Sequence, residues 1–114
     1  MLFRSEVVGE VQDRICVIVD DMVDTGGTIA TAAATLKENG AKEVIVTATH
    51  GIFSDPARDR LQNSEAITRV VCMDTLPIDE DKMFPKLTVL PSAPIIARAI
   101  REVFTEGSVT RLFD

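Results

Sequence analysis

The chain has 114 residues, with 12 lysines and arginines against 18 aspartates and glutamates, a formal net charge of −6; that leaves room for one domain and gives a surface that repels polyanions, which argues against nucleic-acid binding. Hydrophobic residues at 46% and charged residues at 26% exclude a disordered or low-complexity chain. With 4% aromatics and neither Trp nor Tyr there is no base-stacking platform, and the core must be built from Val, Ile, Leu and Ala.

No apolar run approaches the roughly 20 residues that span a bilayer. Residues 1–6 lack the apolar middle of a signal peptide, so a soluble cytoplasmic protein is expected. From Ile15 onward two hydrophobic periods alternate. That pattern predicts an α/β fold in three layers, with a mostly parallel sheet of about four strands flanked by helices. Ile15-Cys16-Val17-Ile18-Val19 is a continuous, largely β-branched run of the kind a central strand shows when both its faces are covered, and Asp20 is expected to end it. Beyond Gly26-Gly27, the spacing of Ile29, Ala32, Ala33 and Leu36 predicts a helix over about 28–39, stopped by Gly40.

Val44-Ile45-Val46-Thr47-Ala48 reads as a second buried strand. Asp55 offers a capping carboxylate and Pro56 a first helical residue, predicting a short helix over 56–63. Strands over 69–73 and 87–90 follow, separated by the acidic run Asp79-Glu80-Asp81, read as a solvated loop. Ser92-Ala93-Pro94 then leads into a helix with Ile96, Ala99, Ile100 and Val103 on one face, which Gly107 stops. Residues 108–113 alternate polar and apolar, as an extended segment docked on the domain or on another subunit would. Cys16 and Cys72 sit in apolar strand runs with no Cys or His at metal-ligand spacing, and are expected to be reduced core thiols.

The stretch that carries chemistry is Val19-Asp20-Asp21-Met22-Val23-Asp24-Thr25-Gly26-Gly27-Thr28, where a buried strand gives way to a helix. Open α/β sheets bind ligands at that edge. Gly26-Gly27 permits positive φ and close backbone approach, and the first N–H groups of the helix join the Thr25 and Thr28 hydroxyls in a phosphate cradle. A cradle built for phosphate alone would not also hold Asp20, Asp21 and Asp24, whose charges repel it. Carboxylates accept hydrogen bonds from sugar hydroxyls or bind Mg²⁺ directly or through its waters, so the ligand implied is a phosphorylated sugar with a divalent ion nearby. No Lys follows Gly27, which excludes the triphosphate-binding GxxxxGK[ST] loop.

These residues resemble the ribose-phosphate signature of the type I phosphoribosyltransferase fold, in the version carried by the ribose-phosphate pyrophosphokinase (phosphoribosyl pyrophosphate synthetase) family. Thr47-Ala48-Thr49-His50-Gly51-Ile52-Phe53-Ser54, Asp74-Thr75-Leu76-Pro77 and Ser108-Val109-Thr110-Arg111-Leu112-Phe113 also resemble the C-terminal domain of that family. The resemblance covers about residues 7–114, with 1–6 as an unmatched remnant. It implies an enzyme that makes phosphoribosyl pyrophosphate and AMP from ATP and ribose 5-phosphate with Mg²⁺, assembled as a homo-oligomer, hexameric by family. By position, Thr25, Gly26, Gly27 and Thr28 would hold the 5-phosphate. Asp20 and Asp21 would meet the ribose hydroxyls and the Mg²⁺, and Asp24 would lie near the ring as a candidate proton acceptor.

The resemblance also implies what a chain of this length leaves out, namely a catalytic basic loop, for which Arg4 is no substitute, and an ATP domain. A fragment that binds ribose 5-phosphate weakly and forms no product is therefore expected. Two alternatives share the sugar-phosphate turn: a nucleobase phosphoribosyltransferase, and a non-catalytic regulatory or assembly subunit. His50 is read equally as a ligand contact or a turn-stabilising imidazole. By likeness to the family, Ser108 and Thr110 are candidate ligands for an allosteric phosphate.

Overall fold

The structure, a computed structural model, describes residues 9–105. Arg4, the Gly107 stop, the alternating segment 108–113 and the candidate phosphate ligands Ser108 and Thr110 lie outside the described residues. Strand β1 (Ile15–Val23) leads into helix α1 (Gly27–Glu38), β2 (Glu43–Gly51), helix α2 (Ala57–Gln62) and β3 (Arg69–Met73). A single 3₁₀ turn (Glu80–Lys82) precedes β4 (Leu87–Leu90) and helix α3 (Ala93–Phe104). The four strands are parallel, in the order β1-β2-β3-β4, with Val17 opposite Ile45, Val46 opposite Val70 and Val71 opposite Thr88. The α/β class and the helix-flanked parallel sheet are those expected.

Period-two alternation decides which side chains enter the core. Val44, Val46 and Ala48 of β2, Val70 and Cys72 of β3 and Leu87 of β4 point to one face, where Ile29 and Ala33 of α1 and Ala57 and Leu61 of α2 close over them. Every crossover steps in the same direction across the sheet, so right-handed connections place α1 and α2 on that one face. The opposite face of β1 is open, with Ile15, Val17 and Val19 exposed at 56%, 53% and 79%. The expectation that this run is covered on both faces is therefore corrected: β1 is the edge strand of the described sheet, and its β-branched run does not report double coverage here.

Other boundaries shift for identifiable reasons. Asp20 does not end β1, which runs on to the fully buried Val23 because pairing with β2 continues through Val23 opposite Gly51. Likewise His50 lies inside β2 rather than after it. Pro56 is the N-cap residue of α2 rather than its first helical residue, and no side chain caps that helix, so Asp55 does not have the capping role expected of it. Gly40 does stop α1, at φ +96°, with the Ala41 N–H reaching back 3.1 Å to the Leu36 carbonyl. Cys72 is buried and its thiol is pushed up by desolvation, whereas Cys16 is only half-buried. On α3 no residue is buried, and Ile96, Ile100 and Val103 are 54%, 52% and 69% exposed. Among the described residues, no helix is long and apolar enough to cross a membrane.

Candidate functional site

Between β1 and α1 the chain has only Asp24, Thr25 and Gly26 in which to turn. The turn is tight because Val23 is fully buried and its carbonyl accepts the N–H groups of Ile52 and Phe53, at 2.9 and 3.2 Å, tying the end of β1 to the loop after β2. Gly26 then adopts φ +79° as the N-cap residue of α1. It has no side-chain oxygen, no side chain caps α1, and the first turn of the helix holds no acidic residue. The N–H groups of that turn and the positive end of the helix dipole are thus left for an outside anion.

Beside them is a cavity of about 400 Å³ lined by Asp20, Met22, Asp24, Thr25, Gly26, Gly27, Thr28 and Ile29. Asp20, Asp24, Thr25, Gly26, Gly27 and Thr28 are brought together as the motif suggests. Asp21 is not in the lining, because the pleat sends neighbouring strand residues to opposite faces. Its backbone N–H instead donates to Asp20 Oδ1 at 2.8 Å. Asp24 faces the cavity while its Oδ1 accepts the Ser54 N–H at 3.3 Å, so the loop after β2 helps orient it.

Both glycines face helix α2, and Gly26 is also required by its positive φ. A Cβ on Gly26 would lie 3.2 Å from Leu61 Cδ2, and one on Gly27 would lie 2.9 Å from Arg60 Nη1. Helix α2 therefore lies against the glycine turn, and Arg60 Nη1 donates to the Thr25 carbonyl at 3.1 Å. Sequence reasoning missed Arg60. It stands 35 positions from Thr25 in a six-residue helix with no motif of its own, and only the packing of α2 against α1 brings them together.

His50 does not line the cavity. Its Nδ1 lies 2.7 Å from Thr75 Oγ1, and the Thr75 hydroxyl in turn donates to the Thr49 carbonyl at 3.3 Å. This contact accords with the turn-stabilising reading: it links His50, at the end of β2, to Thr75, just beyond β3.

Nearby, the carboxylate of Asp74 accepts both the Ser92 hydroxyl and the Ser92 N–H, at 2.7 and 2.8 Å, and these bonds hold its pKa below the usual carboxylate range. The folded state favours the ionised form, so this contribution is complete above the ordinary carboxylate pKa and is lost as pH falls through the lowered one. Ser92→Ala removes the larger cause and is expected to raise the Asp74 pKa toward its ordinary value. Carboxyl ¹³C titration by NMR checks this, and an unchanged midpoint would refute it.

Among the described residues, no three or more His, Cys, Asp or Glu side chains are grouped so that they could hold a metal by themselves. Mg²⁺ needs no such cage. It keeps several waters and takes one or two carboxylates plus substrate oxygens, and Asp20 and Asp24, both in the cavity lining, are hard oxygen donors of that kind.

The family description "Phosphoribosyl synthetase-associated domain" matches residues 4–114. The chain belongs to this family. Over 109 residues, 96% of its length, it is 60% identical to a ribose-phosphate pyrophosphokinase of Streptomyces coelicolor, and over 110 residues it is 57% identical to one of Mycobacterium bovis. In both cases the match covers 33% of the relative. The fold aligns over 88% of the chain with a crystal structure of phosphoribosylpyrophosphate synthetase from Mycobacterium smegmatis, at a TM-score of 0.78 and 54% identity, covering 33% of that chain. This member of the phosphoribosyl synthetase-associated family thus spans about a third of the length of the synthetases it matches.

Proposed function

We propose that the chain is the ribose-phosphate-binding portion of a ribose-phosphate pyrophosphokinase. In the proposed reaction the anomeric hydroxyl of ribose 5-phosphate takes the pyrophosphoryl group of Mg·ATP, giving phosphoribosyl pyrophosphate and AMP. The observation that carries this reading is one cavity lined both by an uncapped helix start and by carboxylates. A phosphate suits the first and sugar hydroxyls the second. Thr25, Gly26, Gly27 and Thr28 bind the 5-phosphate. Asp20 binds ribose hydroxyls and Mg²⁺ from the cavity wall, with Asp21 adding its charge from the next position. Asp24 stands beside the ring, where it can accept the anomeric proton. Mg²⁺, when bound, offsets charge on the transferring phosphates.

The chain's own share of catalysis is orientation, since positioning and electrostatics dominate phosphoryl transfer. Its place as the C-terminal part of a homo-oligomeric, cytoplasmic enzyme belongs to the same proposal and rests on the motif resemblance. Isothermal calorimetry with Mg²⁺ present tests it. Ribose 5-phosphate is expected to bind more tightly than ribose or inorganic phosphate alone, and Thr28→Ala to weaken it by about fivefold, the worth of one ordinary hydrogen bond. Equal affinity for ribose and ribose 5-phosphate would sink the reading. With ATP and ribose 5-phosphate supplied, the 114-residue chain by itself is expected to release no AMP above a protein-free control, because the cations that would neutralise a triphosphate are not among the residues lining the cavity.

A further inference from the structure

We propose that Arg60 is a positioning residue of the phosphate turn: held to the Thr25 carbonyl, its guanidinium aims the Gly26 N–H into the cavity. The inference rests on the phosphate reading above and adds to it a residue from outside the motif. Arg60 Nη1 donates to the Thr25 carbonyl at 3.1 Å, yet Arg60 is not part of the cavity lining, whereas Thr25 and Gly26 both are. The cation therefore holds the turn from outside the cavity lining. In a trans peptide the C=O and the following N–H point in opposite directions. Fixing the Thr25 carbonyl toward Arg60 consequently turns the Gly26 N–H toward the cavity, beside the uncapped N–H groups of α1.

Gly26 at φ +79° has no Cβ to resist rotation of that peptide unit. An outside hydrogen bond is what holds it, and Arg60 supplies one that carries charge. The fit is close at the next residue as well: a Cβ on Gly27 would meet Arg60 Nη1 at 2.9 Å, so the guanidinium lies against both peptide units of the glycine pair. Arg58 provides an internal control. Two residues earlier on the same helix, its Nη1 donates instead to the Asp81 carbonyl at 2.6 Å, far from the turn in sequence and outside the cavity lining.

The test compares Arg60→Ala, Arg60→Lys and Arg58→Ala by calorimetry with ribose 5-phosphate and with ribose, and by ¹H–¹⁵N NMR of Gly26 with and without ribose 5-phosphate. Arg60→Ala is expected to weaken ribose 5-phosphate about tenfold, to leave ribose unchanged, and to move the Gly26 amide signal in the free protein. Arg60→Lys is expected to recover part of the affinity, since one N–H suffices but the stem is flexible. Arg58→Ala is expected to bind as wild type. Equal losses in Arg60→Ala and Arg58→Ala would mean that general charge or helix integrity is at work, and would overturn the proposal. So would a Gly26 signal in the free protein that ignores Arg60→Ala. If wild type failed to bind ribose 5-phosphate while the Gly26 signal still responded to Arg60→Ala, the contact would stand; the phosphate reading would fall, and the positioning role with it.

Discussion

Phe53→Ala is expected to destabilise the domain by about 3–5 kcal/mol, the range for deleting a fully buried aromatic side chain, against a total stability of about 5–15 kcal/mol for a domain of this kind. Phe53 is 1% exposed and sits in the left-handed region at φ 55°, unusual for a bulky residue. Its N–H is held by the Val23 carbonyl, and its ring meets that of Phe84 edge-on, with centroids 5.7 Å apart at 82°. The ring also fills the space over Gly51, where a Cβ would come within 2.5 Å of Phe53 Cε2 and 3.0 Å of Cys72 Sγ. Gly51→Ala should therefore be costly too, by about 1–3 kcal/mol of overpacking. Urea unfolding followed by circular dichroism measures both. A loss below 1 kcal/mol for Phe53→Ala would show that the ring is not the anchor described. Since the next residue, Ser54, donates to Asp24, loosening Phe53 should also weaken ribose 5-phosphate binding in molecules that remain folded.

Asp24 separates charge from scaffold. Asp24→Asn retains an oxygen for the Ser54 N–H but removes the carboxylate from the cavity wall. It is expected to leave the unfolding midpoint nearly unchanged and to weaken ribose 5-phosphate by about ten- to a hundredfold, the worth of a hydrogen bond to a charged group. Asp24→Ala should lose the same affinity and about 1 kcal/mol of stability in addition, because the Ser54 N–H loses its partner. Calorimetry and thermal unfolding on the two variants distinguish the roles. Full affinity in Asp24→Asn would remove Asp24 from the ligand site and leave it a purely structural acceptor.

The local elements were legible because each has a local cause. The spacing of Ile29, Ala33 and Leu36 marks α1, Gly40 ends it, and the apolar runs at 69–73 and 87–90 coincide with β3 and β4. The turn chemistry of 24–28 was legible for the same reason, since positive φ at Gly26 and an uncapped helix start depend on neighbouring residues. Asp55-Pro56 was misleading. A capping pair is only a local preference, and the neighbouring packing of Phe53 and Ala57 into the core governs how the chain enters α2.

By itself, then, the amino-acid sequence determined the α/β class, the order of the elements and the residues of the acidic glycine turn, all set by side-chain periodicity and backbone freedom over a few positions. Tertiary structure decided that α1 and α2 both cover one face of the sheet, and so left Ile15, Val17 and Val19 on the other exposed although they read as doubly buried. It also put Asp21 outside the cavity, bound His50 to Thr75, and brought Arg60 to the Thr25 carbonyl across 35 residues. Strand order and helix packing are set by burial summed over the whole domain. A hydrophobic run reports that a residue prefers to be covered, and only the assembled layers determine what covers it.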